Sequence, residues 1–211
     1  MQSTHHSPLF MGVKNMFTQI RLNTLKYGSI TLTNLQNQLA YVWDAAGRTI
    51  FIVMIMFIFV KLWTAVFENQ GTAEIAGLTL ANTIWYFLIA EVMELGKVRH
   101  DMRISEEVKD GSIAYTMIRP YNYLAYHYFN GLGESVLRMV LIFVSGAPVA
   151  LYYAGLPTLN WQHILAFMLV AFGAMLLDFF ALSMIGLLAF VTEDTSSFRL
   201  IYQKFTFILG G

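Results

Sequence analysis

The run TIFIVMIMFIFVKLWTAVF, from Thr49 to Phe67, carries a single charged side chain, Lys61. A helix of that length crosses the roughly 30 Å hydrocarbon core of a bilayer, and such a run constrains the fold more than any motif in the chain. Three further segments read the same way: Ile75 to Leu95, more polar at its inner end; Leu124 to Tyr153, long enough to extend past the membrane; and His163 to Val191, almost unbroken apolar sequence. Ser197 to Gly211 reads as the opening of another span, too short to cross alone. The expected fold class is all-α, a polytopic transmembrane helical bundle of four complete spans plus the start of a fifth. Composition agrees: 57% of residues are hydrophobic, 12% are charged, and the mean hydropathy is +0.57. The absence of cysteine excludes disulfides and thiolate metal sites.

Orientation follows from where the basic residues fall, because Lys and Arg are retained on the cytoplasmic side. Lys14, Arg21, Lys26 and Arg48 precede the first span; Lys97, Arg99, Arg103, Lys109 and Arg119 lie between the second and third; Arg199 and Lys204 follow the fourth. The opposite loops, Glu68 to Glu74 and Ala154 to Gln162, contain none. The N-terminus is therefore expected in the cytoplasm of a multi-pass cell (inner) membrane protein. No apolar segment with a small-residue cleavage site opens the chain, so no signal peptide is expected, and residues 1–21, including His5 and His6, read as a cytosolic tail. Within residues 22–47, Leu32, Leu35, Leu39 and Val42 recur at helical spacing. That stripe fits an amphipathic helix lying in the headgroup plane, anchored by Trp43 and Arg48, or one packed against the bundle. Residues 48–211 form the transmembrane domain.

Between the second and third spans, residues 97–123 are far longer than a reconnecting loop needs. Ile104 and Val108 fall on one side of a short helix, with Glu106, Glu107, Lys109 and Asp110 on the other. Gly111 can end that helix in a left-handed conformation, and Ile113, Tyr115, Met117 and Ile118 form a second apolar set closed by Arg119 and Pro120. A helix-turn-helix knob on the cytosolic face is the expected result. A charged loop is often merely solvated, but apolar residues retained beside the charges favour a docking surface.

The succession Ile104, Glu107-Val108, Gly111 and Met117-Ile118-Arg119-Pro120 resembles the cytosolic segment of type-2 ABC exporter permeases. The stretch LLAFVTEDT from Leu187 to Thr195, continuing to FILGG from Phe207 to Gly211, is similar to that family's junction between the fourth and fifth spans. The helix before the first span would match its connecting helix. The resemblance implies a permease subunit that pairs with a second permease, as homo- or heterodimer, and with cytosolic ABC ATPases that hold ATP and Mg²⁺. On the family's six-span plan the chain stops inside the fifth span. The knob would receive the ATPase through Ile104, Val108, Met117 and Ile118, oriented by Glu107 and Arg119, with Gly111 and Pro120 shaping its turns.

Four charges lie at membrane depth: Lys61, Glu134, Arg138 and Asp178. An isolated one costs about 2.5–3.5 kcal/mol on insertion scales, so each needs a partner or water. Glu134 and Arg138 stand one helical turn apart and can close an internal clamp. Lys61 can snorkel to the outer interface. Asp178, without an evident local partner, is the better candidate for a substrate path. Gly131 and Gly133 permit close helix approach. No Gly-x-Ser-x-Gly, no His-Glu-x-x-His and no phosphate-binding loop is present, so the chain is not expected to be an enzyme or to hold a cofactor or metal of its own. No nucleic-acid partner is expected; the bilayer is. Competing readings are a non-transporting scaffold and an ion-coupled carrier or channel.

Overall fold

The computed structural model describes residues 8–40, 42–157, 161–192 and 194–210. The initial tail with His5 and His6 lies outside them. Among the described residues eight α-helices follow one another: α1 (Pro8–Ala40), α2 (Val42–Gln70), α3 (Leu80–Leu95), α4 (His100–Lys109), α5 (Ile113–Ile118), α6 (Tyr123–Ala154), α7 (Trp161–Leu187) and α8 (Ser196–Gly210). One 3₁₀ turn, Leu188–Phe190, extends α7.

Among the described residues three helices are long and apolar enough to cross a membrane: Thr49–Gln70 of α2, Tyr123–Ala154 of α6, and Gln162–Phe190 of α7 with its 3₁₀ extension. The expected second span is shorter than its apolar run. Glu74–Ile75 (β1) and Leu78–Thr79 (β2) pair antiparallel as a minimal hairpin, turning at Ala76 (φ 53°) and Gly77 (φ 79°). Two successive left-handed residues make the tight turn that suits a hairpin, and glycine takes the second without strain. Thr79 then caps α3, its Oγ1 accepting the Asn82 N–H at 3.3 Å. The remaining helix has 16 residues, about 24 Å at 1.5 Å per residue, less than the hydrocarbon thickness.

The core lies where α2, α3 and α6 meet. Ile52, Met56 and Val60 recur every four residues along α2 and bury one stripe against Ile84 and Leu88 of α3 and Ile142, Ala147 and Ala150 of α6. Gly146 of α6 lets the Leu88 side chain approach its backbone. Trp85 fixes the far end, Nε1 donating to the Gly155 carbonyl at 2.8 Å.

The N-terminal helix is described from Pro8 onward. Residues 8–21 are thus helical and continuous with residues 22–40 of the expected amphipathic segment. This helix crosses the start of α6. Thr31 Oγ1 donates to the Phe129 carbonyl at 2.8 Å, Asn34 Nδ2 donates to Asn130 Oδ1 at 3.1 Å, and Tyr27 stacks on Phe129 with centroids 4.9 Å apart. Leu32 and Leu39 of the apolar stripe stay exposed, while Leu35 packs toward α6. By contrast α7 uses one narrow stripe, Phe179, Leu182, Ser183 and Gly186, against α4 and leaves its other faces uncovered. Large exposed apolar side chains all round a helix suit a lipid environment and not water.

Candidate functional site

The knob consists of α4, a turn and α5, inserted between Gly96 and α6. Its foot, α4, is wedged between α6 and α7. Beside His100, Gly131 of α6 leaves no room for a methyl group, since a Cβ there would strike the imidazole. Phe179 of α7 meets the same ring edge-on at 4.8 Å. Ile104 is 0% exposed, seated over Gly186 of α7: a Cβ on that glycine would stand 2.8 Å from Ile104 Cβ and 2.9 Å from the Asp101 carbonyl. Ser105 Oγ accepts from Thr195 Oγ1 at 3.2 Å, and Asp101 Oδ2 accepts from Arg199 Nη1 at 3.3 Å.

On the other side Arg103 reaches Glu134 of α6, while Glu107 Oε2 accepts the Tyr123 hydroxyl at 3.0 Å and lies 3.3 Å from His127 Nε2.

The apolar side of α4 is not an exposed face: α7 covers Ile104, and Glu107 braces α4 against α6. Val108 is half-buried. The turn forms as its residues suggest: Asp110 Oδ1 accepts the Ser112 N–H at 2.8 Å, and Gly111 takes φ 76°. The Ser112 bonds also hold the Asp110 carboxyl below its usual range. Beyond the turn Ile113 is buried, whereas Tyr115, Met117 (56% exposed) and Ile118 (82%) stand outward. Arg119 is extended, as a residue before proline must be, and donates to the Tyr121 hydroxyl at 2.9 Å. The apolar surface of the knob thus belongs to α5, and Tyr115 joins the residues expected there.

The membrane-depth charges are engaged. Glu134 is paired with Arg138, as their spacing allows, and also with Arg103. Arg138 Nη1 further donates to the Lys97 carbonyl at 3.3 Å. Asp178 does have a partner: Tyr202 of α8 donates to its Oδ1 at 2.9 Å, with Lys97 Nζ 3.8 Å away. Lys97 also bridges to Glu94 at 2.7 Å. Lys61 Nζ lies 5.0 Å from the centre of the Tyr153 ring and 5.7 Å from that of Phe57, within cation–π range. Among the described residues no group of three or more His, Asp or Glu could hold a metal ion.

His100 supplies a pH test of the seat. Burial, then the Arg103 charge and His127, push its pKa from 6.5 down to about 4. The unfolded chain binds the extra proton first, so stability is full above about pH 6.5 and falls as the pH drops toward 4. Between pH 7 and 5 the loss should be about 2 kcal/mol, read as a lower thermal midpoint in detergent. His100→Gln should flatten that slope; an unchanged slope would contradict the assignment.

A bundle with three span-length helices and a packed polar knob defines a polytopic helical membrane protein. Residues 50–209 match the family described as ABC-2 family transporter protein, which covers most of the chain, and the chain belongs to that family. Its members are membrane transport components, and the family implies association with an ABC ATPase. No curated protein and no solved structure matches the chain.

Proposed function

We propose that the chain is the membrane-spanning permease subunit of an ATP-driven exporter, coupled through α5 to a separate cytosolic ABC ATPase that holds ATP and Mg²⁺. It sits in the cell (inner) membrane with its N-terminus in the cytoplasm, α3 serves as a short fourth span beside α2 and α6, and a second permease subunit completes the pathway. The observation that carries this reading is the knob's division of labour. Its foot is clamped to α6 and α7 by buried contacts, while Tyr115, Met117 and Ile118 lie uncovered on the far side. Force applied at α5 would pass through Ile104 to α7 and through Arg103 and Glu107 to α6. Closure of the ATPase dimer would thereby tilt two spans together. Pairing of Glu134, Arg138 and Asp178 within the bundle leaves an ion-coupled carrier less support.

Affinity capture from native membranes tests this. The wild-type chain should bring down a cytosolic ATPase. Met117→Asp with Ile118→Asp should insert normally yet capture at least about tenfold less, about 1.4 kcal/mol or more of interface energy. Undiminished capture would contradict docking at α5, and absence of any ATPase from the wild-type capture would contradict the exporter reading.

A further inference from the structure

Tyr27, Gly28, Thr31 and Leu35 of α1, with Phe129 and Leu132 of α6, line an open groove of about 610 Å³. Its walls are largely apolar, and the Thr31 hydroxyl is already spent on the Phe129 carbonyl. Gly28 faces this open space, where a Cβ would meet nothing within 4 Å. The groove has a definite depth. The first helix crosses α6 at Gly133, about six turns or roughly 31 Å from the Ala154 end, which places the groove at the basic-side boundary of the hydrocarbon core.

The charges that α1 brings to this boundary have one sign. The first acidic residue in the chain is Asp44, so α1 contributes only positive side chains. Arg21 is exposed two turns before Gly28 on the same helical stripe. Lys26, beside Tyr27, donates one bond to the Pro120 carbonyl at 2.9 Å and has two further N–H groups. An apolar groove ending beside unopposed cations complements a molecule with an apolar tail and an anionic head.

We propose that this groove holds an acyl chain of an anionic phospholipid whose phosphate pairs with Arg21 and Lys26, fixing α1 to the membrane surface. The proposal does not depend on ATPase docking. Native mass spectrometry of the chain in detergent tests it, with phosphatidylglycerol, phosphatidylcholine of the same chains, and glycerol 3-phosphate as probes. Wild type should retain one phosphatidylglycerol at least about tenfold better than phosphatidylcholine and should not retain glycerol 3-phosphate. Arg21→Gln, at an exposed position, should lose most of that preference, and Gly28→Trp should displace both lipids. Equal retention of the two lipids, retention unaffected by Gly28→Trp, retention of glycerol 3-phosphate alone, or a dimer that Gly28→Trp dissociates would each overturn it.

Discussion

Replacing Glu134 with alanine should cost about 3 kcal/mol of stability, near the lower end for breaking a buried ion pair. The Glu134 side chain is 5% exposed and faces two guanidinium groups, Arg103 from α4 and Arg138 from its own helix. Without the carboxylate, both cations face each other at the α4–α6 junction with no counter-charge between them. Their own partial exposure allows some rehydration, which holds the loss to the lower end. Arg138→Met is the informative contrast: Arg103 continues to neutralise Glu134, and the loss should stay near 1 kcal/mol. Thermal midpoints of the two variants in detergent, measured beside wild type, check the asymmetry. Equal losses would mean that Glu134 is not the hub of the cluster.

Gly133→Val should have a comparable effect by a different route. A Cβ at residue 133 would lie 2.5 Å from the Thr31 carbonyl oxygen, 3.0 Å from the Leu35 nitrogen and 3.2 Å from Asn34 Oδ1. The first two are backbone atoms, which cannot rotate away as a side-chain end can, so α1 must lift off α6. Overpacking costs about 1–3 kcal/mol, and separation also lengthens the Thr31–Phe129 and Asn34–Asn130 hydrogen bonds, for a total of about 3 kcal/mol. Hydrogen exchange should accelerate across residues 19–40 and leave the α2–α3–α6 core protected. Gly28→Ala, where nothing lies within 4 Å, should instead be neutral or stabilise by up to about 1 kcal/mol. Equal destabilisation by the two substitutions would show that close approach at Gly133 does not hold α1.

Some of this architecture was legible in the residues alone. Three spans were, because their apolar runs exceed what any local turn interrupts; the Glu134–Arg138 pair was, because an interval of four places both side chains on one helix face. The αL turn at Gly111 was legible as well, since it follows a charged helix and precedes a new apolar set. What escaped depended on which helix covers which. The apolar pattern of α4 marks Ile104 as one side of a helix, but whether that side meets solvent or α7 is decided by Gly186, far along the chain. Asp178 looked isolated because its partners, Tyr202 and Lys97, come from α8 and from the segment between α3 and α4. The shortening of α3 was hidden because Ala76 and Gly77 turn the chain at the more apolar, outer end of the Ile75–Leu95 run. A glycine that would clash on gaining a Cβ is the trace such packing leaves in a sequence, though only the structure names its neighbour.

In the proposed coupling α5, and not the buried face of α4, receives the ATPase. Placing a photo-crosslinking amino acid in turn at Ile118, Ile104 and Leu156, then irradiating native membranes, tests it most directly. Residue 118 should crosslink to a cytosolic nucleotide-hydrolysing protein, with no such crosslink from residue 104, which faces α7, or from residue 156, exposed just past the opposite end of α6. The same ATPase captured from residue 156, or no ATPase captured from residue 118, would contradict it.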